Sequence, residues 1–448
     1  MNKLFKEQIL NILDELKSSN MYRRITQIEH NGKYINRPAG NRLLNLASND
    51  YLGLLDNSEY NQRFWDKYML PGKTFFGSGS SRLLTGDCGT ARELEQKAEE
   101  LFALAAEKAT TNNLAAEKTT ANNLVTSNPA AYNLTAESKE CSTCKETAKR
   151  DFGALVFNSG YHANTGIIGA VGTLNDTIFI ADKLVHASII DGLKLSGKRF
   201  ERYRHNDTAH LQKLVETAKS DGYRNIVVIT EAVFSMDGDT APLNELVKIK
   251  HNNPNVILYV DEAHSFGLYG ETGLGLCEHY SVIQDIDIIV APLGKAASSV
   301  GALAVVDSYF KEFLINKMRT LIFSTALPQV NYARSCYFLS NLQNLEHERE
   351  HLQSIIKQFK AAIGLPASLT VETAIIPYKT ESAEQAVEMQ KLLEKNGILA
   401  PAIRPPTVPP NGSRLRLSIT AAMSTMELDR VAEILKKTNR QNELLHTT

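Results

Sequence analysis

The sequence has little of what marks several classes of protein. Its five cysteines are few and odd in number for 448 residues, which argues for reduced thiols in the cytoplasm and against a disulfide framework. No run of about eighteen apolar residues occurs, so we expect no membrane span. The formal net charge is -1, from 49 basic and 50 acidic residues, so no overall field would attract nucleic acid. These absences predict a cytoplasmic protein without membrane or nucleic-acid partners.

Composition divides the chain into three predicted parts. Residues 1–50 form a helical and extended segment, whose apolar residues lie at helical spacing among charged ones, unlike a signal peptide. Residues 51–340 form a large domain and 341–448 a small C-terminal domain. Within the large domain, 103–150 is predicted to be an exposed low-complexity insertion, because its repeated, Thr/Asn-rich sequence cannot bury a core. Cys141–Cys144 has the spacing of metal ligands, but it lacks a second pair nearby, so no metal site is predicted.

Five short runs after Phe152 are apolar throughout rather than alternating. They are ALVF, TIFIA, NIVVIT, VILYV and DIIVA, and helical stretches separate them. This pattern is expected of strands buried on both faces of a mostly parallel sheet. The sequence therefore predicts an α/β fold, in which ligands sit beyond the carboxyl ends of the strands.

The C-terminal part has a different pattern. Helices are predicted to begin at two capping boxes, Ser382 with Gln385 and Ser424 with Glu427. Between them, Arg414–Ile419 alternates like a half-exposed strand. This part is predicted to be a smaller α+β domain.

Two short motifs suggest a nucleotide-driven motor. Asp261-Glu262-Ala263-His264 spells the DEAH box of helicases, and Pro71–Thr74 resembles the end of a phosphate-binding P-loop. Such a loop requires a glycine at position 67, which is Lys67, and no apolar strand precedes it. We therefore reject the motor hypothesis.

Polar residues follow the ends of the predicted strands. In chain order they are Gly160, Tyr161, His186, Ser235, Asp261, His264 and Lys295. A glycine at a helix start offers N–H groups to a phosphate, a lysine can form a Schiff base, and an aspartate can keep a pyridine nitrogen protonated. Pyridoxal phosphate needs these three groups together. Each residue alone would more often be a cap, a turn or a surface charge, so the prediction depends on their order and clustering.

Segments along the chain resemble motifs of the α-oxoamine synthases, fold-type I pyridoxal-phosphate enzymes that condense an amino acid with an acyl thioester. They are NDYLGL, GSGSSRLLTGD, NSGYHAN, HASIIDG, RHND, TEAVFSMDGD, VDEAHSFG, LGK and FSTALP. The resemblance covers nearly the whole chain outside 103–150. It implies the fold of these enzymes, with pyridoxal 5'-phosphate (PLP) as the cofactor of the large domain.

The resemblance implies a role for each ring-binding residue. Lys295 would bind the cofactor covalently and later move the Cα proton of the substrate. Asp261 would pair with the pyridinium nitrogen, and His186 would stack on the ring. His264 and Ser235 would form hydrogen bonds with the ring 3-oxygen.

The phosphate of the cofactor would lie near Gly160 and Tyr161. Ser324 or Thr325 would reach the phosphate of a neighbouring subunit, because the sites of this family straddle a homodimer. The sequence departs from the family at Pro292, where a phosphate-binding threonine is usual. Proline has neither a hydroxyl nor an N–H group, so other groups must supply part of the anchor.

Candidate substrate-binding residues come from both ends of the chain. For the carboxylate of the amino acid they are Arg404 and Arg416 with Asn49, and for the acyl group they are Thr407 and Arg23 or Arg24. The prolines around Arg404 fix an extended backbone, which lowers the entropy cost of aiming its guanidinium. Both Arg404 and Arg416 could instead be solvated charges at the rim.

The segment IRPPTVPPNGSRLRLSITAA resembles the branch of the family that acts in biotin biosynthesis. This implies the condensation of L-alanine with a pimeloyl thioester, carried by CoA or by acyl carrier protein. Two alternatives stay open. One is a glycine C-acetyltransferase activity, and the other is a catalytically idle homologue that acts as a binding protein.

Overall fold

A computed structural model gives the fold of most of the chain. It describes residues 2–19, 21–38, 40, 42–69, 76–127, 150–368, 370–405, 407–409 and 411–446, without the side chains of 112–127 and 439–446. The Gly72-Lys73-Thr74 triplet and the Cys141–Cys144 pair lie outside the described residues. Within the described ranges, no helix combines the length and apolarity needed to cross a membrane. These ranges also contain no cluster of three or more His, Cys, Asp or Glu side chains able to hold a metal ion.

The N-terminal residues form a helix and one edge of a small sheet. The helix α1 spans Lys3–Ser18, and none of its residues is buried. The following elements are strands β1 (Glu29–Asn31), β2 (Tyr34–Asn36) and β3 (Arg42–Asn45), helix α2 (Ser58–Tyr68) and a π-helical turn over Arg82–Gly86. The three strands are antiparallel in this order.

The next helix, α3, spans Gly89–Ser127 and therefore enters the predicted insertion at 103–150. Its buried face comprises Ala91, Leu94, Ala98, Phe102, Ala105, Ala106 and Ala109. The predicted start of an exposed insertion at residue 103 is therefore wrong. Within this polar segment, alanines continue the helical spacing of the apolar face, so the face stays buried. Alanine also has the highest helix propensity, which favours continuation of the helix.

A seven-stranded sheet forms the centre of the large domain. Its strands are β4 (Phe152–Phe157), β5 (Thr177–Asp182), β6 (Phe200–Tyr203), β7 (Asn225–Glu231), β8 (Val256–Asp261), β9 (Ile288–Pro292) and β10 (Ala302–Asp307). The strand order is β4-β10-β9-β8-β7-β5-β6, with β10 antiparallel to both neighbours and the other pairs parallel. The predicted α/β fold with a mostly parallel sheet is confirmed.

Helices flank this sheet and bury its apolar strands. They are α4 (Gly160–Val171), α5 (Ala187–Ser196), α6 (Thr208–Ser220), α7 (Leu243–His251), α8 (Leu276–His279), α9 (Ser308–Lys317), α10 (Arg319–Ile322) and α11 (Gln329–Ser340). All residues of β4 and β5 are buried, as expected of strands covered on both faces.

The C-terminal residues form a second α+β layer. Its elements are α12 (Glu346–Ala362), β11 (Ile375–Lys379), α13 (Ala383–Lys395), β12 (Ile398–Leu399), β13 (Ala402–Ile403), β14 (Arg414–Ser418) and α14 (Thr425–His446). Strands β11, β14 and β13 form an antiparallel sheet, and β12 pairs in parallel with β3. The capping box at Ser424 forms, and at Ser382 the side-chain cap of the helix forms. Ser382 Oγ accepts the N–H of Gln385 at 3.1 Å, and the N–H of Ser424 donates to Glu427 Oε2 at 2.8 Å.

Strand β14 differs from its prediction as a half-exposed strand. All five of its residues are buried, including Arg414 and Arg416. The two guanidinium groups bond to the loop that follows β7, through Asp237 and the carbonyl oxygen of Ser235. Because these partners satisfy the charges inside the protein, the alternation of Arg and Leu does not mark a solvent-facing side.

Candidate active site

The ends of β7 and β8 bring two acidic side chains side by side. Glu231 ends β7 and Asp261 ends β8, and the two residues are partners in the parallel register. Partners in a parallel register point to the same face of a sheet, so both carboxyl groups face the same space. Both residues are buried, at 1% and 3% exposure. This space lies at the carboxyl edge of the strands, where ligands of such sheets bind.

The orientation of Asp261 is fixed by neighbouring donors. Asn164 of α4 donates from Nδ2 to Asp261 Oδ2 at 2.8 Å, and the N–H of Ala263 donates to Oδ1 at 3.0 Å. Asn164 is fixed in turn, because its Oδ1 accepts the hydroxyl of Tyr259 at 2.7 Å. The predicted partner of a pyridinium nitrogen is thus a buried and oriented carboxyl group.

A chain of hydrogen bonds runs from Lys295 to Arg416. Lys295 Nζ lies 3.1 Å from His264 Nε2, and His264 Nδ1 lies 2.7 Å from the Tyr51 hydroxyl. Tyr51 donates to Asn49 Oδ1 at 3.1 Å, and Arg416 Nη2 donates to the same oxygen at 3.4 Å. These residues come from the loops after β3, β8 and β9 and from β14, so only the folded chain assembles them.

His264 connects Tyr51 to Lys295 in either tautomer, because the Tyr51 hydroxyl lies at Nδ1 and Lys295 Nζ lies at Nε2. Burial raises the pKa of Tyr51 to about 12, so its hydroxyl stays protonated at neutral pH.

Burial shapes the charge of the two bases. It lowers the pKa of Lys295, although the charge of Asp261 acts in the opposite direction. Burial also lowers the pKa of His264 well below its ordinary value, and the positive charge of Lys295 adds to this effect. A lysine with a lowered pKa is more readily a free amine, which is the form that attacks a carbonyl carbon and accepts a proton.

His186 and Ser235 lie at the same edge of the sheet. His186 is the N-cap of α5, where its Nδ1 accepts the N–H of Ser188 at 3.2 Å. His186 is exposed. The surrounding protein nevertheless removes part of its hydration, which lowers the pKa of the imidazole, whereas the negative charge of Asp261 acts to raise it. Ser235 follows β7, and its carbonyl oxygen accepts Nε of Arg416 at 2.6 Å.

The predicted binding site for the cofactor phosphate, called the phosphate seat below, is the first turn of α4. Ser159 caps this helix by accepting the N–H of His162, and the N–H groups of Gly160 and Tyr161 have no partner within the helix. A Cβ atom at Gly160 would lie 2.8 Å from Cγ of Pro292, so the close approach of β9 requires glycine there. The ring of Tyr161 is exposed, and its hydroxyl donates to Asp191 at 2.7 Å.

The remaining predicted residues lie outside this cluster. They are Arg23, Arg24, Ser324, Thr325, Arg404 and Thr407. Arg23 and Arg24 lie in the exposed segment between α1 and β1. Thr325 lies beside the phosphate seat, where its carbonyl oxygen accepts Nδ2 of Asn158 at 2.8 Å. Arg404 is half-buried, and its carbonyl oxygen accepts the N–H of Thr407 at 3.1 Å.

Sequence reasoning misses three residues of the cluster. Tyr51 and Asn164 lie inside the segments NDYLGL and NSGYHAN, and Glu231 directly ends an apolar run, as Asp261 does. The spacing of four between Gly160 and Asn164 places both on one helix face, which is a usable signal. Nothing in the sequence indicates that Tyr51 contacts His264, because that contact depends on tertiary folding.

Comparison with known proteins assigns the family. The sequence profile of the family "Aminotransferase class I and II" matches residues 103–435, which is more than half of the chain. The chain belongs to this family. Its members are PLP-dependent enzymes, and this chain is therefore a PLP-dependent enzyme.

Two curated relatives of this aminotransferase-family chain match along nearly its full length. A protein of Haemophilus influenzae, named "Putative 8-amino-7-oxononanoate synthase", is 40% identical over 432 residues, covering 96% of this chain and 98% of that protein. A protein of Neisseria meningitidis serogroup C with the same name is 39% identical over 436 residues, covering 96% of this chain and all of the other. The predicted resemblance is confirmed.

Solved structures support the fold of this family member. A serine palmitoyltransferase from S. paucimobilis with a bound PLP–myriocin aldimine has a TM-score of 0.76 at 23% identity, covering 99% of this chain and 100% of the other. The 8-amino-7-oxononanoate synthase from Francisella tularensis has a TM-score of 0.64 at 26% identity, covering 90% and 99%. The first of these shows the fold alone.

The residues of the site fit PLP. Lys295 offers an amine whose lowered pKa favours the neutral form, and Asp261 offers an oriented carboxyl group on the same side of the sheet. The first turn of α4 offers free N–H groups for a phosphate. Pro292 contributes an apolar wall there and no donor, so the helix must supply the polar contacts on that side.

Proposed function

We propose that this enzyme is an 8-amino-7-oxononanoate synthase of biotin biosynthesis, acting in the cytoplasm. It condenses L-alanine with a pimeloyl thioester and releases 8-amino-7-oxononanoate, CO2 and the free thiol. The names of relatives that match almost the full chain support the substrates. The structural observation that carries the proposal is the bonded chain from Arg416 to Lys295, because it joins a carboxylate-binding cation to a basic amine.

The chain's own residues divide the chemistry between them. PLP supplies, when bound, the electron sink that stabilises negative charge at the Cα of the amino acid. Lys295 accepts the Cα proton of alanine and later returns a proton to the same carbon. The alanine Cα bonds to the thioester carbonyl carbon, the thiolate leaves, and the carboxylate departs as CO2. Asp261 supplies the negative charge that keeps the pyridine nitrogen protonated.

Arg416 is proposed to bind the carboxylate of alanine. A guanidinium group has five N–H donors, and three are directed at Ser235, Ser418 and Asn49. Two donors remain, one on each terminal nitrogen, which matches the two oxygens of a carboxylate. The three protein contacts hold the group in place before alanine arrives, so little side-chain entropy is lost on binding.

A homodimer is proposed to complete the phosphate seat. Ser324 and Thr325 follow α10, which packs against the π-helical turn of Arg82–Gly86. This region exposes large apolar side chains, with Leu84 at 78% and Phe323 at 71%. Exposed apolar side chains beside a ligand site are typical of a subunit interface. We propose that Ser324 or Thr325 reaches the phosphate in the partner subunit.

The visible absorption spectrum of the purified protein with PLP tests the proposal. We expect a band of protein-bound cofactor that responds to lower concentrations of L-alanine than of glycine. Pimeloyl-CoA and pimeloyl acyl carrier protein are then compared as donors, with the amino ketone product measured. Lys295→Ala should abolish both the band and turnover.

Three other outcomes would change the assignment. A stronger response to glycine with an acetyl thioester would favour glycine C-acetyltransferase activity. Full activity of Lys295→Ala would refute the role of the lysine. A well-folded protein that binds no PLP would be an idle homologue.

A further inference from the structure

Glu231 is a buried acidic group that the mechanism above does not use. Its side chain ends β7 at 1% exposure, and its Oε1 atom has no hydrogen-bond partner. A buried carboxylate without full compensation is costly, so an ionised Glu231 would destabilise the fold. A neutral carboxylic acid at this position would be far less costly.

Charged and polar groups on four neighbouring elements face Glu231. Asp261 on β8 is its partner in the sheet register, and Lys295 after β9 acts on it through its charge. The backbone amides of His186, at the start of α5, and of Ser235, after β7, favour the ionised form of its carboxyl group. On the β5 side, Asp182 is already paired with His205.

Two adjacent carboxyl groups in a buried site do not both ionise readily, so the better-solvated one keeps the charge. Asp261 accepts hydrogen bonds on both oxygens, whereas Glu231 leaves one oxygen unpartnered. Burial and the charge of Asp261 accordingly raise the pKa of Glu231 to about 8, against the opposing effects of Lys295 and the two backbone amides. At neutral pH Glu231 therefore carries a proton.

We propose that Glu231 is a positioning residue of the cofactor site. As a neutral acid beside Asp261 in the sheet register, it leaves Asp261 the negative charge that faces the cofactor nitrogen. The inference rests on the proposed function only through PLP binding, and not through either substrate. Above the titration of Glu231 its proton passes to solvent, and the second negative charge raises the proton affinity of Lys295.

Infrared difference spectroscopy of the cofactor-free protein tests the protonation state directly. The spectrum of wild type minus Glu231→Gln should show the carbonyl stretch of a protonated acid at pH 6 to 7. This band should disappear in a titration centred near pH 8. Glu262 is also buried with a raised pKa, so the difference against the Gln variant is needed to assign the band. The matched control, Glu216→Gln on the exposed face of α6, should give no such band.

A second measurement tests positioning with PLP bound. The pH titration of the visible band should contain a transition in wild type that is missing in Glu231→Gln. A merely structural side chain would change stability and leave this titration unmoved. Glutamine keeps the shape and an accepting oxygen, so the fold should be retained, which circular dichroism checks.

The two measurements separate the possible failures. Absence of a titrating acid band in wild-type protein overturns the proposal, whether or not the Gln variant folds. An identical visible titration in both proteins overturns it as well. Failure to bind PLP at all refutes the proposed function, while the infrared experiment still decides the state of Glu231.

Discussion

At the scale of single residues, Arg416 and Arg404 differ in how the fold holds them. Arg416 is buried on β14 and bonded to three protein groups, whereas Arg404 is half-buried on the irregular segment after β13. A guanidinium already fixed beside Asn49 requires little reorganisation to receive a carboxylate. The geometry therefore favours Arg416 as the carboxylate ligand.

Replacing Arg416 by lysine should weaken the binding of alanine. Lysine keeps the charge but cannot present two parallel donors while also bonding to Ser235 and Ser418. Hydrogen bonds to charged groups contribute about 1.5 to 3 kcal/mol, so KM for L-alanine should rise about 10- to 100-fold. Steady-state kinetics measure this, and a PLP titration in parallel separates loss of substrate binding from loss of cofactor.

Arg404→Lys is the matched control, with an expected change in the alanine KM of less than about threefold, because a half-buried charge remains in contact with solvent. A large effect at Arg404 and none at Arg416 would transfer the carboxylate role to Arg404.

The sequence predicts residues whose chemistry is recognisable by type and place in a motif. Lys295, Asp261 and His264 follow apolar runs that the fold turns into adjacent strands, and the predicted strand ends meet as expected. Tyr51 and Asn164 are harder to predict, because their importance comes from contacts with His264 and Asp261 that are far apart in the chain. Their roles depend on tertiary contacts and not on residue type.

At the scale of elements, His205 joins three loops at the carboxyl edge of the sheet. Its Nδ1 lies 3.0 Å from Asp182 at the end of β5, and its Nε2 lies 2.7 Å from Asp239 in the loop after β7. Burial works against the charged imidazole, but hydrogen bonds to the two aspartates outweigh it and raise the pKa of His205 to about 10. The imidazolium thus anchors the loop that carries Ser235.

Replacing His205 by glutamine should destabilise the protein in a pH-dependent way. The pKa is about 10 in the folded protein and 6.5 unperturbed, so the stabilisation is complete below pH 6.5 and is lost as pH rises to 10. Near pH 6 the variant should lose about 2 to 4 kcal/mol of unfolding free energy. Towards pH 10 the difference in unfolding free energy between wild type and His205→Gln should narrow. Denaturant unfolding at several pH values measures both effects.

His251→Gln provides the control, because His251 is exposed and contacts one carboxylate, Asp285, at 2.7 Å. We expect it to change stability by less than about 1 kcal/mol. If the difference in unfolding free energy between wild type and His205→Gln stayed constant from pH 6 to 10, a stabilising imidazolium at His205 would be refuted.

Two elements show the limits of local patterns. The composition of α3 suggests a solvated repeat, yet its alanines at helical spacing suffice for packing when a sheet lies beneath them. The alternation in β14 suggests one solvent-exposed face, yet Arg414 and Arg416 both form hydrogen bonds with the loop after β7. Local periodicity gives the element type, whereas burial depends on what the rest of the chain places against it.

At the scale of the whole molecule, three large apolar side chains are exposed on neighbouring segments of the described chain. Leu83, Leu84 and Phe323 are exposed at 48%, 78% and 71%, on two elements that pack together. The bridge between Ser81 and Thr325 fixes these segments next to the residues predicted to reach a neighbouring phosphate. A second copy of the chain placed here would cover these apolar side chains and complete the seat in one contact.

Replacing Leu84 by aspartate should therefore separate the proposed dimer. A charge buried in an apolar interface without a partner costs several kcal/mol, enough to shift the dissociation constant by orders of magnitude. Sedimentation velocity should show a dimer for wild type and a monomer for the variant. The PLP dissociation constant should rise along with this change, since the partner's contribution to the phosphate is lost.

Met426→Asp, on a side chain 79% exposed at the start of α14, controls for the added charge and should stay dimeric. A Leu84→Asp variant that stays dimeric would place the interface elsewhere, and a wild-type monomer that binds PLP tightly would refute the shared site.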